Sequence, residues 1–420
     1  MTGPDFLWGV STSAFQIEGG FDEDGRLPSV WDEFPSFEGQ TARVACDHRN
    51  RHAEDVALLR ELGVNAYRFS LSWPRVEGGR AAGSGSAASS GLDFYDRLVD
   101  DLLDAGIAPV ATLYHWDTPA HVEEAGGWLA RDTAHRLADY AATAAARLAD
   151  RVAMWIPVNE PAIVTLLGYA TGQHAPGKAL LFDALPAAHH LNLGHGLAVQ
   201  ALRAAGATSV GTANNHTPAW AATGSAEDAA AASAYADLHN WLYADPVLAG
   251  RYPESLVDLL PVEDGDLATI AQPLDFYGVN YYNPTRLSAP SPGNPLPFDL
   301  VPITEHPVTG FGWPVVPAGL GEMIGALRTR HPNLPPVHVT ESGCSYPHSL
   351  DDTERVDYLA AHSEAAIAAG AKGYFVWSVL DNFEWDSGYS QRFGLVHVDY
   401  ATQRRTPRAS FRWYRDRIRR

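Results

Sequence analysis

One unit recurs along the chain and constrains its fold more than any other feature. An amphipathic run ends at a glycine, and a short apolar run follows within a few residues. Val56, Leu59 and Leu62 precede Gly63 and VNAYRFS; Phe94, Leu98 and Leu102 precede Gly106 and IAPVATLYH. Leu193, Leu197 and Leu202 precede Gly206 and SVGTANN; Tyr358 and Ile367 precede Gly370 and GYFVWS. Spacings of three and four predict helices, glycine suits the left-handed turn that ends them, and the apolar runs read as buried strands. Two further units lack the glycine: alanine-rich 134–150 leads to VAMWIPVNEP, and 319–330 leads to PVHVTESG. With FLWGVS at the start and DFYGVNYY near 276, about eight strands alternate with helices. Such alternation implies a parallel sheet, and about eight units predict an α/β fold, a single closed (β/α)8 TIM barrel over residues 1–420. A doubly wound open sheet is the competing arrangement, but no nucleotide-binding glycine fingerprint follows any strand.

Composition supports a large core, with 46% hydrophobic residues in a chain of 420. No apolar run reaches the length of a membrane span. The start, MTGPDFLWG, has no basic segment followed by an apolar one, and the only cysteines are Cys46 and Cys344. These features predict a cytoplasmic protein. The net charge of −20 disfavours nucleic acid and anionic membranes as partners. Only Lys178 and Lys372 are available as Schiff-base lysines. Two irregular stretches read as loops within the barrel: 78–91 (GGRAAGSGSAASSG) and the proline- and glycine-rich 283–318.

In such a barrel, chemistry belongs at the carboxyl ends of the strands. Here the strand ends carry Arg68; His115 and Trp116; Asn159 and Glu160; Asn280, Tyr281 and Tyr282; and Thr340, Glu341 and Ser342. The last strand ends at Trp377, with Asp381, Glu384 and Trp385 following. Any one of these could be a cap or a core aromatic; six strand ends of this kind together are hard to obtain that way. Glu160 and Glu341, after strands four and seven, face each other across the barrel mouth. Paired carboxylates with aromatic walls and amide donors suit glycoside hydrolysis, where one donates a proton and the other attacks or activates water.

Other chemistries fit poorly. GQHAPGK at 172–178 imitates a phosphate loop, but Ala179 replaces the required hydroxyl residue. His189, His190 and His195 share one predicted helix without zinc-type spacing and read as packing or surface residues, so no metal is expected. No G-x-S-x-G elbow is present.

The chain resembles the glycoside hydrolase family 1 β-glycosidases. The resemblance rests on FLWGVSTSAFQIEGG at 6–20, ACDH at 45–48, GVNAYRFSLSWPR at 63–75 and GLDFYDRLVDDLL at 91–103. It continues through LYHWDTP at 113–119, WIPVNEP at 155–161, GYATGQHAPG at 168–177 and DFYGVNYY at 275–282. VTESG at 339–343 and WSVLDNFEWDSGYSQRFGLVHVDY at 377–400 complete it. The resemblance implies a (β/α)8 barrel and a retaining double displacement, with Glu160 as general acid/base and Glu341 as nucleophile. It makes Gln16, His115, Trp116, Asn159, Glu384 and Trp385 the residues around the non-reducing sugar, with Trp377 as its stacking floor. Arg68 and Tyr282 match partners of the nucleophile, Asn280 a nearby support, and Trp313 a platform for the leaving group. No cofactor is implied. The expected partner is a β-glycoside or short oligosaccharide, chiefly β-D-glucosyl with galactosyl and fucosyl as weaker options; oligomeric state stays open.

The chain departs from the family pattern in places. Ser342 stands where the family usually has Asn, a mild change. Segment 36–46 is shorter than usual and 49–52 (RNRH) lacks the usual aromatics, which predicts a more open pocket rim. TANNHTPAW at 212–220 is atypical around Asn215 and His216. The alternative activity is transglycosylation, in which an alcohol or sugar intercepts the same intermediate. A catalytically dead sugar-binding barrel is disfavoured because both glutamates are kept. A 6-phosphoglycosidase is disfavoured because Glu384 would repel phosphate.

Overall fold

The computed structural model describes residues 5–81, 87–346 and 350–420. Eight parallel strands form the central sheet: β1 (Leu7–Ser11), β2 (Ala66–Ser70), β3 (Ala108–Tyr114), β4 (Met154–Val158), β5 (Gly211–Asn215), β6 (Phe276–Asn280), β7 (Val337–Ser342) and β8 (Gly373–Trp377). Neighbours run from β4 through β1 to β8 and back to β5. Parallel bridges Trp155–Val210 and Asn159–Ala213 then join β4 to β5 and close the barrel. All eight strands fall in the runs expected from the sequence, although β5 itself reads GTANN.

Eight helices return the chain outside the barrel: α1 (His48–Leu62), α2 (Ala87–Asp104), α3 (Asp132–Leu148), α4 (Leu185–Ala204), α5 (Leu242–Ala249), α6 (Pro317–Arg330), α7 (Thr353–Ala368) and α8 (Ala409–Ile418). Gly63, Gly106, Gly206 and Gly370 follow helix ends with φ between 73° and 95°, the turn their lack of a Cβ permits. Strands β2, β6, β7 and β8 are buried throughout, because helices cover one face and the barrel interior the other. Inside, Ala66, Val110, Ile156, Ala213, Phe276 and Phe375 form one cluster in which small residues make room for large ones. Gly9 shows why: a Cβ there would lie 2.3 Å from the Phe375 ring.

Two loop expectations need correction. Helix Trp73–Ala81 and α2 occupy both ends of 78–91, and its centre, 82–86, lies outside the described residues. Within 283–318, strands Thr285–Ser288 and Asp299–Val301 join Ala219–Ala221 in a small sheet beside the barrel. Among the described residues no helix is long and apolar enough to cross a membrane.

Candidate active site

Strand register sets the level of the site. In β7, Val339 pairs with Val279 and Glu341 with Asn280, so Thr340 is an inserted residue. Such a bulge re-aims the side chain after it. It brings Glu341 beside Asn280, which in turn pairs with Asn215 on β5. From the other side, Glu160 follows β4 in a left-handed conformation (φ 48°, ψ 60°), and Pro161 then opens a short helix. Trp116 and Trp385 also have positive φ, at 73° and 52°. Such backbone costs on the order of 1–3 kcal/mol per residue and gathers where side-chain placement matters more than stability.

Glu341 is gripped on both oxygens. Arg68 Nη1 donates to Oε1 at 2.5 Å, and the Tyr282 hydroxyl donates to Oε2 at 2.8 Å. Arg68, itself buried, also donates to Asn159 Oδ1 (2.5 Å), Thr112 Oγ1 (3.1 Å) and the Thr340 carbonyl (3.1 Å). Glu160 receives two amides on a single oxygen: Asn280 Nδ2 at 2.8 Å and Asn215 Nδ2 at 3.0 Å from Oε1. Asn280 is fixed because its Oδ1 accepts the Thr340 hydroxyl at 2.6 Å, and its side chain also supports the Glu341 charge.

These contacts separate the carboxyl groups chemically. Burial, and then the neighbouring Glu341, push Glu160 up to about 8. Burial also raises Glu341, but Arg68 and Tyr282 oppose it. A third acid, Glu384, is pushed up to about 8 by burial and then by Glu341, Asp386 and Glu160. His115 is held well below its usual value by burial and by Arg68, so it is neutral. Asn159 turns its oxygen to Arg68 and therefore its amide N–H to His115 Nε2, at 3.2 Å. The ring proton then sits on Nδ1, a buried donor with no protein partner.

A cavity of ≈ 320 Å³ collects these groups. Glu160, Glu341, Tyr282, His115, Trp116, Trp313, Trp377, Glu384 and Trp385 all line it. Trp377 lies within 18° of the His115 plane, and Trp313 stacks on Phe311 with centroids 4.5 Å apart. Arg68, Asn159, Asn280 and Gln16 stand behind this lining. The Gln16 amide is folded back: its Nε2 reaches the Phe383 carbonyl (2.9 Å), Asn382 Oδ1 (3.0 Å) and Glu384 Oε2 (3.3 Å), and its Oε1 accepts Ser13 (2.6 Å).

Several sequence expectations change. Asp381 turns away from the cavity into a buried ion pair with Arg408, at 2.8 and 2.9 Å. Residues 36–52 do not line the cavity, and Arg49 pairs with Asp24 and Glu23. Ser342 is buried and off the cavity. His189, His190 and His195 are buried packing residues, His189 against Asp266 and Tyr252. The rejected 172–178 segment contributes Gln173 and His174 to the cavity wall. Asn215, Tyr235, His239 and Phe311 also line it without having been assigned. For Asn215 the signal was present, a polar end to strand five; Tyr235 and His239 lie in a helical run that no strand-end rule marks.

The model of the family described as "Glycosyl hydrolase family 1" matches residues 3–420. A beta-glucosidase from Agrobacterium sp. is 43% identical over 98% of this chain and 94% of its own length. A bifunctional beta-D-glucosidase/beta-D-fucosidase from Bifidobacterium breve is 41% identical over 98% of this chain and 96% of its own. Among solved structures, a psychrophilic beta-glucosidase from Micrococcus antarcticus superposes with a TM-score of 0.94 at 42% identity, covering 100% of this chain and 98% of that one.

Proposed function

The chain belongs to glycosyl hydrolase family 1, and on that premise we propose that it is a retaining β-glycosidase acting on terminal non-reducing β-D-glucosyl residues. One observation carries the mechanism: a Glu341 clamped by Arg68 and Tyr282 and a Glu160 pushed up to about 8 share one cavity. A retaining mechanism requires the two carboxyl groups to lie about 5–5.5 Å apart, against about 6.5–9.5 Å in an inverting one. Glu160 is the proton donor to the leaving oxygen, while Glu341 attacks the anomeric carbon and forms a glycosyl ester. The ester carries no charge, so the field that raised Glu160 weakens and it can take a proton from water. Water then releases the sugar and regenerates Glu341.

Trp377 is the floor for the sugar, His115 Nδ1 and Glu384 bind its hydroxyls, and Trp313 faces the leaving group. Glucosides are the preferred substrates, with galactosides and fucosides weaker; the name of the Bifidobacterium breve relative supports fucosides as accepted substrates. A cytoplasmic setting suits the two unpaired, buried cysteines.

The test is azide rescue. Glu160→Ala should lose most activity on glucosides with poor leaving groups, and azide should restore turnover on activated ones as the β-glucosyl azide. A folded Glu160→Ala protein that azide does not rescue, or that yields the α-azide, refutes the assigned roles. Added alcohol acceptors in the wild-type assay separate hydrolysis from transglycosylation by the products formed.

A further inference from the structure

Both amide donors to Glu160 converge on Oε1, from Asn280 at 2.8 Å and Asn215 at 3.0 Å. An oxygen already accepting two N–H bonds is a poor seat for a proton, so neutral Glu160 carries its proton on Oε2. The two amides are held by different means. Thr340 fixes Asn280. Asn215 depends on His239, whose Nε2 lies 2.9 Å from Asn215 Oδ1. With the Asn215 amide N–H on Glu160, its Oδ1 needs a donor, so His239 must be protonated on Nε2. Its Nδ1 is then an acceptor, and the Tyr235 hydroxyl lies 3.3 Å away. Burial and the neighbouring His216 hold His239 down to about 3, so the ring is neutral wherever the enzyme works. The hydrogen bonds therefore run one way, from Tyr235 through His239 and Asn215 to Glu160.

We infer that His239 is a positioning residue for the acid/base: it holds the Asn215 N–H toward Oε1 and so keeps the transferable proton on Oε2. The inference rests on the role proposed above for Glu160. A reversed Asn215 amide would set Oδ1 against Oε1 and draw the acid proton to an oxygen already engaged by Asn280. The same Oε2 then gives the proton to the leaving group and takes one from water. Other charged or titratable groups facing Glu160 are Glu341 from β7, Arg68 from β2, Tyr282 after β6 and Glu384 after β8. His216 and Tyr235 face His239.

The experiment is the pH dependence of kcat/KM for Asn215→Leu, His239→Leu and His239→Gln, on aryl β-glucosides with good and poor leaving groups. A donor to the carboxylate favours its charged form, so losing one raises the Glu160 pKa. Asn215→Leu and His239→Leu should move the basic limb up by about 1 pH unit, the worth of one hydrogen bond to a charged group. They should also slow the poor leaving group about tenfold more than the good one, because only the former needs the acid. Gln places an amide N–H near the former Nε2–H, so His239→Gln should return both readouts toward wild type. A stationary basic limb in Asn215→Leu overturns the inference, as does a His239→Gln that shifts like His239→Leu. Equal losses on both substrates with no shift mean packing alone and overturn it too. Should His239→Leu not fold, Asn215→Leu decides. Failure of the underlying assignment appears separately, as a Glu160→Ala protein that azide does not rescue.

Discussion

Tyr282→Phe isolates the hydrogen bond that favours ionised Glu341. The Tyr282 hydroxyl donates to Oε2 at 2.8 Å while Arg68 holds Oε1 at 2.5 Å, so the substitution removes one of two grips. The ring is retained, as is its edge contact with Trp313 at 5.3 Å, so no cavity opens. A hydrogen bond to a buried charged group is worth about 1.5–3 kcal/mol, and about 1.4 kcal/mol is one pKa unit. The sign follows from which form the hydroxyl favours. It stabilises the carboxylate, so its loss adds to the upward push of burial on Glu341. On the role proposed for it, Glu341 attacks as the ionised form, so activity is lost as pH falls through a now higher pKa. The acidic limb of kcat/KM for an aryl β-glucoside should therefore move up by about 1–2 pH units. Below that limb the rate should fall about 10–100-fold relative to wild type. The basic limb, set by Glu160, should stay near its place. An unmoved acidic limb in a folded variant, or movement of the basic limb instead, refutes the assignment of Glu341 as the group that must be ionised.

The barrel was legible because its signal is periodic and local. The strands other than β5, which reads GTANN, are mainly apolar runs, and glycines such as Gly63 and Gly370 mark helix ends through a backbone geometry that side chains oppose. Strand-end polarity pointed to His115 and Glu160, which follow β3 and β4 into the barrel mouth, and to Asn280 and Glu341 in the last two residues of β6 and β7; Arg68 instead sits in the middle of β2 and reaches Glu341 from behind the lining. The same rule fails one loop later. Asp381 and Glu384 are three residues apart, yet Asp381 meets Arg408 in the interior and Glu384 lines the cavity. An irregular backbone has no period from which to read direction. The bulge at Thr340 was invisible for another reason: it exists only in the register of β7 against its neighbours. In 78–91, glycine and serine suggested a loop, but alanine is the strongest helix former and helices enter from both ends. In 283–318, prolines exclude long strands while leaving room for short ones.

Two further outcomes follow from buried charge. Arg408→Leu should destabilise the fold by about 3–5 kcal/mol at neutral pH, read from denaturant unfolding, because Asp381 is left buried with weaker partners. Burial alone would raise Asp381, but His397, Arg408 and Arg392 outweigh it and hold the carboxyl well below its usual range. That stabilisation is present above the unfolded value near pH ~4 and lost as pH falls below it, so the gap between variant and wild type should shrink at pH ~3. An equal gap at both pH values counts against a charge origin. Glu384→Gln tests the sugar pocket. Burial and three neighbouring carboxyls push Glu384 up to about 8, so at pH 7 it is a neutral acid that Gln imitates in shape, and the expected charge repulsion of a phosphorylated sugar by Glu384 does not hold there. On the role proposed for it, Glu384 accepts from the C4 and C6 hydroxyls of a glucoside, which favour the charged form that Gln cannot adopt. A fucoside lacks the C6 hydroxyl and gains less from that charge. The substitution should thus lower kcat/KM on β-glucosides more than on β-fucosides and narrow their ratio by about tenfold, within the ~1–3 kcal/mol of a single pocket contact. A ratio that does not change would mean that Glu384 does not read the C6 hydroxyl.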